Sequence, residues 1–90
     1  MKLHLVVKAK WFDMIKSGEK KEEYRELTMY WNKRIWKHWW EIYSIVFHRG
    51  YTNIIHEREC TGVAIGTGKK EWGANPHEKC TIIALGKEIV

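Results

Sequence analysis

Ninety residues with a net charge of +5, one proline and two cysteines describe a single domain, not a disordered tail or a disulfide-stapled secreted module. Six Trp, four Tyr and two Phe must supply the core of so short a chain, because each ring removes a large apolar area on burial. The longest apolar run, Ile42 to Phe47, is interrupted by Ser44 and cannot span a bilayer, while Lys8 and Lys10 break the apolar start, so neither a membrane segment nor a secretory leader is expected and the chain reads as cytoplasmic.

Leu3, Leu5 and Val7 alternate with polar neighbours, which predicts a half-buried strand over residues 2–8. Trp11, Met14 and Ile15, with Phe12 beside them, then recur at helical spacing over residues 9–17. Gly18 ends that helix, since glycine takes the left-handed conformation without a Cβ clash. Residues 22–26 read as a short strand with Glu23 and Arg25 on one face and Tyr24 on the other.

Thr28 is a good N-cap for a second helix reaching Trp40. Trp31, Ile35 and Trp39 form a row four residues apart, widened by Trp36 and Trp40, opposite Lys33, Arg34, Lys37 and His38. That pattern predicts a helix packed on a sheet, with a base-stacking platform as the alternative. A third strand runs from Tyr43 to a turn at His48–Tyr51, where Gly50 supplies the unusual backbone angles. Residues 54–70 form a long strand whose glycines, Gly62, Gly66 and Gly68, mark bulges or a bent corner. A turn-rich connection over residues 71–76 leads to an apolar strand, Cys80 to Leu85, and a last short one from Gly86 to Val90. About five or six mixed strands with two early helices make a mostly-β α+β domain, curled by its glycines into a small barrel.

The charge balance favours an anionic partner, although eleven acidic residues interleave with the basic ones and exclude a simple polycation. Lys20, Glu23 and Arg25 place two cations and a carboxylate at the turn after Gly18. In a dry cleft Glu23 would hold both cations, Arg25 would offer a forked contact to an anion, and burial would lower the Lys20 pKa toward proton-shuttle range. A bound phosphate or base edge would sit between Lys20 and Arg25. The alternative is a solvated ion-pair network. His56 with Cys60 and His77 with Cys80 are the only metal-like pairs, but residues four apart on a strand are separated by about 13 Å, so no metal is expected and the thiols read as buried and free. Gly66-Thr67-Gly68-Lys69-Lys70 fails the P-loop pattern, though Lys69 could touch a phosphate, and no cofactor motif is present.

Gly18, Lys20, Glu23 and Arg25, in the order Gly-x-Lys-x-x-Glu-x-Arg, resemble the signature of ASCH domains, a branch of the PUA-like β-barrels. Trp11, Phe12 and Ile15 before it, Phe47, Arg49, Gly50 and Tyr51 after it, and Gly66, Gly68, Lys69, Glu71, Trp72 and Gly73 later extend the similarity over nearly the whole chain. The resemblance implies a PUA-like barrel with a cleft lined by the signature and a ligand that is RNA or a nucleotide. Some members of that family hydrolyse the amide of N4-acetylcytidine, and nuclease activity is attributed to others. In the amidohydrolase branch the signature lysine matches Lys20, the threonine position is Glu23, which has no hydroxyl, and a later glutamate would be Glu57, Glu59 or Glu71.

Three readings follow. The first is a monomeric binding module using Lys20, Arg25, Arg49 and Lys69 for phosphate or base edges and Tyr24 or Tyr51 for stacking. The second is an enzyme acting on modified nucleosides or RNA with Lys20 and Glu23 as an acid–base pair. The third is a protein-interaction module using the Trp-rich helix from Thr28 to Trp40.

Overall fold

The computed structural model describes all 90 residues. Strand β1, Lys2–Val7, buries Leu3, Leu5 and Val7 and exposes the alternate residues, as its pattern predicts. Helix α1, Ala9–Ser17, buries Phe12 and Ile15 and leaves Trp11 and Met14 half-buried, so the core stripe is one residue off the expected one. Gly18 closes the helix at φ 87°, its N–H donating to the Ile15 carbonyl. Strand β2, Glu22–Arg25, follows.

The next segment differs from the expected single helix. Thr28 does cap it, accepting from the Trp31 N–H at 3.3 Å, but helix α2 covers only Met29–Arg34. Ile35 is its C-cap, distorted but still right-handed (φ −106°, ψ −64°), and the chain continues as a 3₁₀ segment, Trp36–Glu41. Tightening to three residues per turn destroys the four-residue row. Of Trp31, Ile35 and Trp39 only Ile35 is buried, while Trp36 is pinned by donating its indole N–H to Thr81 Oγ1 at 2.9 Å.

Strand β3, Ser44–Arg49, is buried through Phe47 and turns at Gly50, φ 56°. Strand β4, Ile55–Gly66, is the longest, and register shifts around Cys60 and Gly62 place the bulge where a glycine was expected to mark one. Strand β5, Cys80–Ile89, runs straight through Gly86 as one strand instead of the expected two. The sheet order is β1-β3-β4-β5-β2, with β1 and β3 parallel and every other pair antiparallel.

The result is the mostly-β α+β domain expected, its five mixed strands curled into a half-barrel. The core joins Leu5 and Val7 of β1, Phe12 and Ile15 of α1, Phe47 of β3 and Ile83 of β5, and Ile35 and Ile42 reach it from either end of the 3₁₀ turn. Each such side chain contributes about 1.5–3 kcal/mol on burial. No helix is long and apolar enough to cross a membrane.

Candidate functional site

The site is built on the charged strand after Gly18. The backbone folds back there, Lys20 N–H donating to the Met14 carbonyl at 2.9 Å, and this aims the Lys20 side chain inward. Lys20 is 2% exposed, a rare place for a lysine without partners. Its Nζ donates to the Trp72 carbonyl at 2.6 Å, meets Glu23 Oε1 at 3.2 Å, and lies 4.7 Å from the Tyr24 ring centre and 5.5 Å from that of Trp11. The carbonyl, the carboxylate and the rings together use the ammonium's three donors. Burial pulls the Lys20 pKa down, and Glu23 works against that shift.

Glu23 uses its other oxygen for Arg25, Nη2 to Oε2 at 2.7 Å. The same nitrogen donates to the Val6 carbonyl of β1 at 3.1 Å. Strands β1 and β2 are the two sheet edges, so Arg25 bridges the seam that no backbone ladder closes. Its guanidinium also stacks over Trp31 at 4.7 Å. Arg25 Nε is the only buried side-chain polar atom with no hydrogen-bond partner.

Tyr24, on the opposite face of β2 as predicted, donates its hydroxyl to Glu22 Oε1 at 2.7 Å and accepts from the Lys69 N–H at 3.0 Å. Burial, foremost, pushes its phenol well above the ordinary range. The loop after β4 must pass close over this ring: a Cβ on Gly68 would lie 2.5 Å from the Tyr24 ring and 2.6 Å from the Ala74 Cβ. Glycine there serves close approach, not a bulge. A short 3₁₀ turn, Lys70–Trp72, then delivers the Trp72 carbonyl to Lys20 and ends at Gly73, φ 99°, against the Trp11 ring.

Beside the cluster lies a cleft of about 830 Å³, lined by Tyr24, Arg25 and Thr28 from β2 and the start of α2 and by Asn75, Glu78 and Lys79 from the loop before β5. It carries both signs of charge. Lys20 does not line it, and the space between Lys20 and Arg25, expected to receive a phosphate, is occupied by the Glu23 carboxylate.

Other predicted residues lie apart from the cluster. Arg49 forms a two-point pair with Asp13, Nε to Oδ1 at 3.1 Å and Nη2 to Oδ2 at 3.2 Å, which holds the Asp13 carboxyl below its usual range. Tyr51 is 97% exposed in the turn after β3. The Lys69 ammonium stacks on Trp72 at 4.4 Å, so only its backbone joins the cluster. Glu57 accepts from Ser44 and Lys2, while the exposed Glu59 and Glu71 make no ion pair, so none of the three completes a set with Lys20. Cys60 and Cys80 are free but half-buried, and burial raises both thiols.

Arg58 escaped sequence reasoning, and His56 was weighed there only as half of a metal-like pair with Cys60. Arg58 donates to the Ile15 and Lys16 carbonyls at the end of α1 and to Gly86 of β5, so it fixes the helix that precedes the site. His56 is buried beneath it, accepting from Arg58 Nε at 3.1 Å, and burial lowers its pKa, as does the nearby cation. The two-residue spacing of His56 and Arg58, which puts both on one face of β4 opposite Phe47 and Ile45 of β3, was the available signal.

No protein-family model, curated protein or solved structure matches this chain.

Proposed function

We propose that the protein binds RNA or a nucleotide in the cleft beside Arg25. The observation that supports this reading is a rigidly held guanidinium, fixed by Glu23, the Val6 carbonyl and the Trp31 ring, on a residue that lines an 830 Å³ cleft. The mixed charges of Arg25, Lys79, Glu26 and Glu78 suit a base edge, which offers donors and acceptors together, better than a bare polyphosphate. The net charge of +5 adds attraction for a phosphate backbone. The similarity of Gly18, Lys20, Glu23 and Arg25 to the ASCH signature points to the same ligand class. In this reading Lys20 and Glu23 are positioning residues that hold Arg25.

The enzymatic alternative needs Lys20 as an acid or base. Its lowered pKa favours that role, but its donors are all engaged away from the cleft, so binding is the better-supported reading.

Intrinsic tryptophan fluorescence tests this, because Trp31 stacks on Arg25 and reports on the site. Titration with cytidine monophosphate and short single-stranded RNA is expected to saturate for the wild type. Arg25→Ala is expected to lose about 1.5–3 kcal/mol of binding, the value of a hydrogen bond to a charged group. Equal and wholly salt-driven signals from both proteins would refute the cleft, and product formation in the mixtures would restore the enzyme.

A further inference from the structure

Trp39 and Trp40, expected against the sheet, stand in water. Trp39 is 50% exposed and Trp40 65%, and Met29, Tyr30 and Tyr43 nearby in the sequence are exposed as well. The two indoles meet edge to face, with ring centres 6.2 Å apart and planes at 87°. Lys33, Arg34 and Lys37 are exposed along the same segment, whose single carboxylate, Glu41, faces His38 at 3.4 Å.

Lysine is depleted at the centres of protein interfaces, so rings interleaved with lysines make a poor protein-docking face. They suit a flexible polyanion with flat apolar groups: bases stack on the indoles while phosphates meet the cations.

The segment is also continuous with the cleft. Leu27 and Thr28 line the cleft and lead directly into α2. From the cleft wall, Arg25 lies over Trp31 at 4.7 Å, Trp31 meets Tyr30 edge to face at 4.8 Å, and Arg34 covers Tyr30 at 4.3 Å. A cation, two rings and a second cation thus follow one another outward along α2.

We infer that the segment from α2 through Trp40 is a stacking platform for single-stranded nucleic acid, making the ligand a strand several nucleotides long, of which a mononucleotide fills only the cleft. This deepens the cleft reading and rests on it for the strand's point of entry.

The test is fluorescence anisotropy with labelled single-stranded RNA of about eight nucleotides, within the footprint of small single-strand binders, alongside a labelled mononucleotide. Trp39→Ala/Trp40→Ala is expected to bind the strand about ten- to a hundredfold more weakly and the mononucleotide like wild type. Both indoles are exposed, so the variant should keep the wild-type urea midpoint, which verifies its fold. Lys33→Glu/Lys37→Glu keeps the rings and is expected to weaken strand binding while flattening its salt dependence.

Unchanged strand affinity in the Trp variant overturns the platform, and the cleft reading survives if Arg25→Ala still loses both ligands. Strand affinity lost in the Trp variant but untouched by Arg25→Ala supports the platform and overturns the cleft. A wild-type dimer in sedimentation that the Trp variant abolishes, with no strand binding, would assign the surface to a second copy and overturn the inference.

Discussion

Two arginine–carboxylate contacts in this protein have similar lengths and different consequences. Arg25 meets Glu23 at 2.7 Å inside the cluster, and Arg49 meets Asp13 at 3.1 and 3.2 Å on the surface. The surface pair has the better fork, with two parallel bonds, yet water screens it and competes for both partners. In the cluster, water is replaced by a carbonyl on either side, Val6 for Arg25 and Trp72 for Lys20, and by the faces of Trp31 and Tyr24. Removing charges from water costs several kcal/mol per ion, and only such a complete shell offsets it. The surroundings, more than the distance, decide what each contact contributes.

Glu23→Gln should separate the two regions most sharply. It leaves Lys20 and Arg25 as neighbouring cations without a counter-charge, and a loss of about 3–5 kcal/mol in urea denaturation is expected. A wild-type midpoint would mean that the cluster does not hold β2. Gly68→Ala comes next, because the new methyl would strike the Tyr24 ring and the Ala74 Cβ, and core overpacking costs about 1–3 kcal/mol. Its urea midpoint should fall, and its nucleotide affinity with it, since Tyr24 and Ala74 both border the cleft.

His56 gives a smaller, pH-dependent effect. Its folded pKa lies below the ordinary 6.5, so the unfolded chain binds more protons as pH falls through that value. Stability from this group is therefore full above 6.5, declines as pH drops toward the folded pKa and then levels. Melting curves over this range should show the slope in the wild type and lose it in His56→Gln. The smallest effect belongs to Asp13→Asn on the exposed pair, for which no measurable shift of the midpoint is expected. A shift rivalling that of Glu23→Gln would erase the distinction between the two contacts.

The cluster was legible in sequence to the extent that its contacts are local. Gly18 marks a helix end, and period two places Glu23 beside Arg25. The Trp72 carbonyl lies 52 positions from Lys20, and neither spacing nor composition encodes that meeting. Arg49 at the end of β3 and Tyr51 in the turn after it lie apart from Lys20 and Arg25, and nothing in their local sequence shows whether the fold brings them to the cluster. The second helix was misread for a physical reason. A tryptophan row at intervals of four satisfies a long α-helix, yet the core takes Ile35 and Ile42 and anchors Trp36 to Thr81, and one 3₁₀ turn meets those demands by releasing two indoles to solvent. Amphipathic pattern identifies which side chains are apolar; the competition among them for buried places is settled only in three dimensions.

The position of β2 has a kinetic consequence. Its only ladder is with β5, the last strand of the chain, and the seam on its other side is crossed by a side chain alone. During synthesis β1, β3 and β4 can pair while β2, already made, waits for Cys80–Ile89 to emerge. Contacts of such wide sequence separation form late and slowly. The cleft, lined by both the end of β2 and the start of β5, is therefore assembled only when β5 has docked, at the end of folding.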